Sequence, residues 1–224
     1  MNIIDLTRTI ETGMQIFPGT EPPKLEVTNT LEHDGFREMR LTLYSHTGTH
    51  LDAPSHLLPD GATLSGLPPE SFFGKAALLD LTGPAGRKIT RADLGPFEDR
   101  IHRADFLLLH TGWGRYWGSS EYFGDFPVLA GDAAEWLTRF PLKGIGTDTI
   151  SFDSMDSTDF PIHRTFLPKR ILLIENLANL DELAGAAPAD RDGGEMYVSM
   201  FPLKVEGCDG SPIRAAAIIG PSGK

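Results

Sequence analysis

The 224-residue chain is predicted to form an α/β fold with a mixed sheet, and three observations favour it. Apolar runs of strand length recur along the chain, bounded by Gly, Pro, Asp or Asn, as in buried or half-buried strands. Helical patterns are fewer than strand patterns. No internal repeat, low-complexity tract or linker-like segment interrupts the sequence, so residues 1–224 are expected to form a single domain.

The strand pattern occurs in seven segments. One of them, MRLTLYSH, alternates apolar and polar residues, which places Met39 and Leu41 on one face and His46 on the more polar face. The loops between segments are rich in Gly and Pro, and such loops commonly carry function. The predicted strands are NIIDLT (2–7), MRLTLYS (39–45), AALLDL (76–81), DFLLLHT (105–111), RILLIENL (170–177), MYVSMFPLKV (196–205) and IRAAAIIG (213–220).

Three segments are predicted helices. In AGDAAEWLTRF, Asp132 is expected to cap the N-terminus. In ITRADLG, Thr90 is the expected cap, with Asp93 three residues later, and Gly95 is expected to end the helix. The third segment is NLDELAG, and the three span residues 130–140, 89–95 and 179–185.

The charge balance of the chain points to a small-molecule partner or another copy of the chain. The net charge of −11 disfavours binding to nucleic acid or to anionic membranes. The N-terminal segment MNIIDLTRTIETGM lacks the pattern of a signal peptide, and no run reaches the roughly 18 apolar residues of a spanning helix. Cys208 is the only cysteine, so no internal disulfide can form and a cytoplasmic location is expected.

The segment HTGTHLDAPSH (46–56) concentrates three of the seven histidines of the chain. In an extended strand His46 and His50 would lie about 13 Å apart, which is awkward for two imidazoles that bind one ion. A turn at Gly48 would fold His46 back toward His50 and Asp52, because glycine adopts backbone conformations that a side chain would obstruct. Two imidazoles and one carboxylate suit Zn, Mn or Fe and leave positions open for water or substrate.

His56 comes four residues after Asp52 and is predicted to stand over the metal as a general base without binding it. The alternative for the segment is a loop with exposed histidines, or one histidine bonded in the core, but this density of ligands favours a metal. The other histidines carry weaker signals. His33 resembles a turn residue, His102 lies in a polar segment, and His110 could be structural or face a substrate.

Glu175 is out of place in the apolar segment RILLIENL, where a carboxylate needs an ion pair, hydrogen bonds or a metal. Taken alone, it would pair with an arginine or with backbone amides, and His163 could be a surface residue. Taken with the first cluster, the two could complete one or two metal sites. Four nearby aspartates do not match a calcium loop and are expected in turns or behind the ligands, with Asp148 the candidate for orienting a histidine. The four are Asp148, Asp153, Asp156 and Asp159.

The motif His-x-Gly-Thr-His-x-Asp-x-Pro-x-His at residues 46–56 resembles the signature of the metal-dependent cyclase-like hydrolases, which include bacterial kynurenine formamidase and isatin hydrolase. The resemblance implies a swivelling β/β/α fold and a homodimer or higher oligomer. It extends over nearly the whole chain, through FPG (17–19), HTGWG (110–114), GTDTISFD (147–154), HR…ILLIENL (163–177) and FPLKVEGCDGSPIRAAAI (201–218).

The resemblance also implies roles in a formamidase-type site with two zinc ions. His46 and His50 match ligands of one zinc, and His163 matches a ligand of the second. Asp52 and Glu175 match the carboxylates that bridge the two ions. In the isatin hydrolase branch, a single manganese instead binds the residues that match His46, His50 and Asp52.

Two further positions concern turnover and substrate. His56 matches the catalytic acid/base of the family. The formamidases carry a tryptophan that stacks on the aromatic substrate, and this chain has Phe17 there, which could stack or be a core aromatic. Trp113 is another candidate wall of the pocket.

These observations predict hydrolysis of a small amide, formamide, lactam or lactone by metal-activated water, with zinc (one or two ions) or manganese as cofactor. An arylformamidase-like reaction of the N-formylkynurenine type is the first hypothesis, and an isatin hydrolase-like reaction on one manganese is the alternative. A non-haem iron oxygenase and a non-catalytic metal-binding protein stay open. Serine hydrolase chemistry is weaker, because Ser55 beside His56 lacks the required context.

Overall fold

The structure is a computed structural model that describes residues 1–186 and 195–220. In these ranges nine strands form one mixed sheet, and two further sheets have two strands each. The strands are β1 (Asn2–Asp5), β2 (Lys24–Asn29), β3 (Glu38–Thr42), β4 (His50–Asp52), β5 (Phe73–Asp80), β6 (Lys88–Ile89), β7 (Phe106–His110), β8 (Val128–Leu129), β9 (Gly144–Thr147), β10 (Leu172–Glu175), β11 (Met196–Ser199), β12 (Gly210–Pro212) and β13 (Ala216–Ile219).

The large sheet has the order β1-β13-β11-β5-β7-β9-β10-β4-β12. Its centre, from β5 to β10, is parallel. Successive residues there, such as Leu78 and Leu79, belong to two different hydrophobic clusters, so these strands are covered on both faces, as parallel strands usually are. Antiparallel strands continue the sheet on either side, which confirms the predicted α/β class with a mixed sheet.

Every segment predicted as a strand overlaps a strand of the structure, although with different ends. The strand predicted over 196–205 ends at Ser199. The strand predicted over 39–45 ends at Thr42, so His46 lies beyond it and does not share its polar face. Strands β4 and β12 pair with each other at one edge of the sheet and were not predicted. Each has only three residues, and two of those in β4 are polar.

The three predicted helices are present: the first two are shorter than predicted, and the third, Leu180–Ala186, has the predicted length but begins one residue later. The capping box of Thr90 and Asp93 is confirmed, whereas the cap predicted at Asp132 is wrong, since Ala130 precedes the first turn. Gly95 follows the last residue of its helix with a right-handed backbone and continues into a 3₁₀ turn. Within the described ranges every helix falls short of the length and hydropathy of a bilayer-spanning segment. The helices are α1 (Leu31–Asp34), α2 (Arg91–Leu94), α3 (Glu98–His102), α4 (Gly131–Leu137), α5 (Pro161–Phe166) and α6 (Leu180–Ala186).

Strands β2 and β3 form a separate hairpin. All five residues of β3 are exposed, including Met39 and the 60% exposed Leu41. Val27 pairs directly with Met39 and is also exposed. The alternation of MRLTLYSH therefore does not direct its apolar side chains into the core of this chain.

Candidate metal centre

Strand β4 carries His50 and Asp52 between β10 and β12. The two residues are separated by one position, so both side chains lie on the same face of the sheet. Glu175 pairs directly with His50 across the antiparallel β4–β10 ladder, and directly opposed residues share a face with Cβ atoms about 5 Å apart. The ladder itself thus brings the three side chains together, and all three are buried.

A turn before β4 brings His46 to the same cluster. Gly48 has a φ of +66°, and a Cβ at this position would lie 3.0 Å from Met14 Cε. The left-handed backbone conformation therefore favours glycine here, and any side chain would also have to displace the end of Met14. The ring centroids of His46 and His50 are 5.1 Å apart. The predicted turn that folds His46 back toward His50 is therefore present.

His163 enters the cluster from helix α5, which was not predicted. Asp153 binds the first turn of this helix, because its carboxylate accepts hydrogen bonds from the N–H groups of Ile162 (2.9 Å) and His163 (3.2 Å). Asp153 Oδ2 also lies 2.6 Å from His163 Nδ1, which fixes the direction of the ring. The prediction that Asp148 orients a histidine is wrong: its carboxylate accepts from the backbone of Thr111 and Gly114 instead.

Asp52 and Glu175 each direct one carboxylate oxygen toward His50 and the other toward His163. On one side, His50 Nε2 lies 3.3 Å from Asp52 Oδ1 and 3.4 Å from Glu175 Oε2. On the other side, His163 Nε2 lies 3.4 Å from Asp52 Oδ2 and 3.3 Å from Glu175 Oε1. Two ligand atoms of a tetrahedral zinc, each bound at about 2.1 Å, are about 3.4 Å apart. The separations on both sides therefore suit a cation.

The donors of this centre fit a metal in two further respects. Asp52 Oδ1 is buried and accepts no hydrogen bond in the described part of the chain, although His46 Nδ1 lies 2.7 Å away. An acceptor without a donor is costly in a protein interior unless a cation satisfies it. The outward ring nitrogen of each histidine, in contrast, faces an acceptor, which is typical of metal-binding histidines. These acceptors are Asp209 Oδ2 for His46, the Gly48 carbonyl for His50 and Asp153 Oδ2 for His163.

Asp52, His46 and His163 hold one another charged. Burial alone would raise the pKa of Asp52, but the charge of His46 and the close approach of ring nitrogens of His163, His46 and His50 outweigh it and hold this pKa well below the ordinary value. Burial would lower the pKa of His46, but the Asp52 carboxylate raises it to about 9. Burial also opposes protonation of His163, and the hydrogen bond to Asp153 leads the groups that raise its pKa to about 12.

Metal affinity is therefore expected to rise steeply with pH. At pH 7 both His46 and His163 hold a proton in the metal-free protein, because their pKa values lie above 7. A cation must displace these protons, so loading of the whole centre should release about two of them. Zinc titration by calorimetry between pH 6 and 8, in buffers of different ionisation enthalpy, measures this release. An affinity that does not change with pH would contradict the expectation.

His56 stands beside the cluster on the 3₁₀ turn Pro54–His56. Its ring centroid is 4.1 Å from that of His46 and 6.1 Å from that of His163, and the side chain is 30% exposed. His56 Nδ1 lies 3.1 Å from Asp209 Oδ2, so this contact does not engage Nε2. The position next to the buried ligands, with access to solvent, suits an acid/base.

Comparison with known proteins identifies the family. A family sequence model described as "Putative cyclase" matches residues 4–154, about two thirds of the chain and including the motif at 46–56. The chain belongs to this cyclase family. Relatives of this family member include a kynurenine formamidase of Bacillus cereus, 29% identical over 214 residues and covering 95% of both chains. A kynurenine formamidase of Erythrobacter litoralis is 30% identical over 217 residues, which are 95% of this chain and 92% of the relative.

Solved structures of similar proteins share the cyclase-family fold. A structure described as a potential metal-dependent hydrolase with cyclase activity is 28% identical, covers 96% of both chains and has a TM-score of 0.77. Isatin hydrolase A from Labrenzia aggregata has a TM-score of 0.82 over 96% of this chain and 93% of its own. At 24% identity the latter shows the fold alone. The fold implied by the sequence resemblance is thereby confirmed.

The remaining predicted residues of this cyclase-family chain lie in varied surroundings. Phe17 is 39% exposed in a turn closed by hydrogen bonds from Thr20, and its role in substrate binding stays a prediction. Trp113 is buried in an aromatic cluster and donates its ring N–H to the Tyr122 carbonyl, so it does not form an open wall. His110 is buried with Nε2 3.0 Å from Asp181.

Asp153 is one of the four aspartates expected in turns or behind the ligands, and it contacts a candidate ligand, whereas no such role was predicted for Asp209. Asp209 lies in the turn-rich segment EGCDGSP, within the stretch 201–218 that carries the family resemblance, but nothing in the segment distinguishes this aspartate from a turn residue. It contacts His46 and His56 from 163 and 153 residues away along the chain, and no local spacing reveals such a contact.

Proposed function

We propose that the chain is a metal-dependent hydrolase of small amides or formamides, arylformamidase-like, with N-formylkynurenine as the model substrate. The observation that carries this proposal is the pair of buried carboxylates, Asp52 and Glu175, which each face histidines on two sides at 3.3–3.4 Å. The full-length similarity to proteins named kynurenine formamidase supports the choice of reaction.

The five candidate ligands would hold one or two zinc ions, with manganese as the other candidate metal. His46 and His50 would bind on one side, His163 on the other, and Asp52 and Glu175 would bridge. When bound, the metal supplies Lewis acidity, which lowers the pKa of water and polarises a carbonyl. Bridging carboxylates are the usual means of holding two cations about 3.5–4 Å apart.

His56 would move the proton of the reaction. Its Nε2 accepts a proton from the attacking water and then donates it to the leaving nitrogen, so that an amine rather than an amide anion departs. Phe17 would contact the aromatic part of the substrate, because its half-exposed ring lies in the segment that follows Met14, whose side chain packs at Gly48. The segment from Met14 to Phe17 would then form one side of the substrate site.

An isatin hydrolase-like lactam or lactone hydrolase with a single manganese is the second candidate. The observation that favours it is that His46, His50 and Asp52 form a compact group of donor atoms without His163. Two imidazoles and one carboxylate also match the preferences of manganese and iron. The two candidates differ in metal count and in whether a linear or a cyclic amide is opened.

Metal analysis combined with a substrate panel tests the proposed function. Protein loaded separately with zinc and with manganese would be assayed with N-formylkynurenine, other N-formyl aromatic amines, isatin and small lactones. Release of formate by the zinc form, with about two ions per chain, is expected. Oxygen uptake would indicate an iron oxygenase, and failure of every loaded form to hydrolyse any substrate would indicate a non-catalytic metal protein.

We further propose that residues 1–224 act as one cytoplasmic hydrolase domain and assemble into a homodimer or higher oligomer. A two-stranded hairpin is only marginally stable by itself. The hairpin β2–β3 also exposes apolar side chains, and a second copy of the chain would cover them. Replacing the 60% exposed Leu41 by aspartate is expected to shift the protein to monomers in analytical ultracentrifugation. A wild-type protein that is already monomeric would contradict the proposed assembly.

A further inference from the structure

Asp209 lies immediately before β12 and contacts two histidines with one oxygen. Its Oδ2 is 3.0 Å from His46 Nε2 and 3.1 Å from His56 Nδ1, and its Oδ1 accepts a hydrogen bond from Ser45 Oγ. One of these histidines is a candidate metal ligand and the other is the candidate acid/base. We infer that Asp209 is a positioning residue that fixes the tautomer and direction of both rings at once, an inference that rests on the proposed function.

The chemistry of a carboxylate determines which ring nitrogens carry hydrogen. An ionised carboxylate only accepts hydrogen bonds, so each nitrogen that faces Asp209 must be an N–H. In a neutral imidazole the opposite nitrogen is then the one with the free lone pair. For His46 that is Nδ1, which lies 2.7 Å from Asp52 and offers its lone pair once a cation has displaced its proton. For His56 that is Nε2, the nitrogen needed to accept a proton.

The backbone around Asp209 holds the carboxylate at this place. The Asp209 carbonyl accepts a hydrogen bond of 2.8 Å from the N–H of Ala53, three residues before His56. The next residue, Gly210, pairs with Asp52 across the β4–β12 ladder. A Cβ on Gly210 would lie 2.5 Å from the His46 ring, so the absence of a side chain lets that ring lie against β12. The carboxylate and both imidazoles are thus connected through the same pair of strands.

Replacing Asp209 by asparagine tests this role, because the amide has the same shape but offers N–H donors as well as a carbonyl. The measurements are ring ¹⁵N chemical shifts in metal-free protein, zinc affinity in competition with a chelator, and kcat and KM with N-formylkynurenine. The shifts of His56 are assigned with the His56→Ala variant. The control is Asp80→Asn, which makes the same change of charge on a carboxylate that binds Thr82 rather than an imidazole.

For Asp209→Asn we expect His56 to lose the tautomer with hydrogen on Nδ1, and kcat to fall about 10²-fold or more while KM changes little. Zinc affinity should fall about 10–100-fold, as for other residues that support a ligand histidine. Asp209→Ala should show the same direction in all three measurements. Asp80→Asn should match the wild-type protein.

Unchanged ring tautomers together with unchanged zinc affinity in Asp209→Asn and Asp209→Ala would overturn the inference. Loss of kcat with unchanged tautomers and affinity would also overturn it, since the residue would then act in another way. The ring tautomers and the zinc affinity can both be measured without turnover. If the wild-type protein fails to hydrolyse N-formylkynurenine, the proposed substrate is wrong, and the tautomers and zinc affinity still decide the role of Asp209.

Discussion

Exchange of Asp52 for asparagine is expected to remove bound metal from the protein and to abolish hydrolysis. Asp52 is 1% exposed and its two oxygens face His50 on one side and His163 on the other. An asparagine side chain has one oxygen and no charge, so it cannot bind a cation on both the His50 side and the His163 side. Loss of a supporting residue alone lowers metal affinity about 10–100-fold, and loss of a shared ligand should exceed that. The measurements are metal content per chain after gel filtration, and kcat with N-formylkynurenine.

The same exchange should also destabilise the metal-free protein. His46 and His163 stay protonated near neutral pH because buried carboxylates face them, and Asp52 is shared by both. Removal of one partner from a buried ion pair typically costs about 3–5 kcal/mol. Urea unfolding measures this loss. Asp60→Asn, on an exposed residue of the same region, is the matched control, and an Asp52→Asn protein with wild-type metal content would remove Asp52 from the centre.

Truncation of His56 to alanine should leave the metal in place and lower kcat about 10²–10⁴-fold, the range of general acid–base catalysis. The reason is that His56 lies outside the ring of buried donors but within 4.1 Å of His46 between ring centroids. Without it, the leaving nitrogen would lack the proton donor proposed above. Steady-state kinetics and metal analysis of the same preparation separate the two effects.

The control for this truncation is His33→Ala, since His33 lies exposed on α1. That variant should keep wild-type kcat and metal content. Turnover of His56→Ala equal to that of the wild-type protein would exclude His56 from the mechanism. A loss of metal in His56→Ala would instead indicate that His56 is itself a metal ligand. The contact of its Nδ1 with Asp209 accounts for its position without a metal.

The local part of the centre could be predicted from the sequence, because its residues lie within one short segment. The spacing of His46, Gly48 and His50 required a turn, and the structure has one with a φ of +66° at Gly48. Glu175 stood out because a carboxylate in an apolar strand needs a partner. The structure gives it His50 and His163, together with the backbone N–H of Phe152 (3.2 Å), and among the described residues no arginine.

The distant part of the centre could not be predicted, because it depends on tertiary placement. Two aspartates, Asp148 and Asp153, follow β9 within six residues, and only the position of α5 decides that Asp153 meets His163. Pro161 occupies the first position of α5, where proline is common, and so indicates in the sequence that a helix begins there. Strand β4 escaped prediction for a different reason: its polar side chains serve the site and break the apolar pattern of a buried strand.

The insertion of β4 between β10 and β12 governs when during folding the centre can form. Its neighbours come from far along the chain: Thr49 and Asn176, bonded just before β4 and just after β10, are 127 residues apart. Contacts of such sequence separation form slowly. Until they form, the histidine-rich segment is available to ions without Glu175, and binding to an unfolded chain weakens the stabilisation that metal gives the native state. Zinc should therefore raise the free energy of unfolding by less than its affinity for the native protein alone implies.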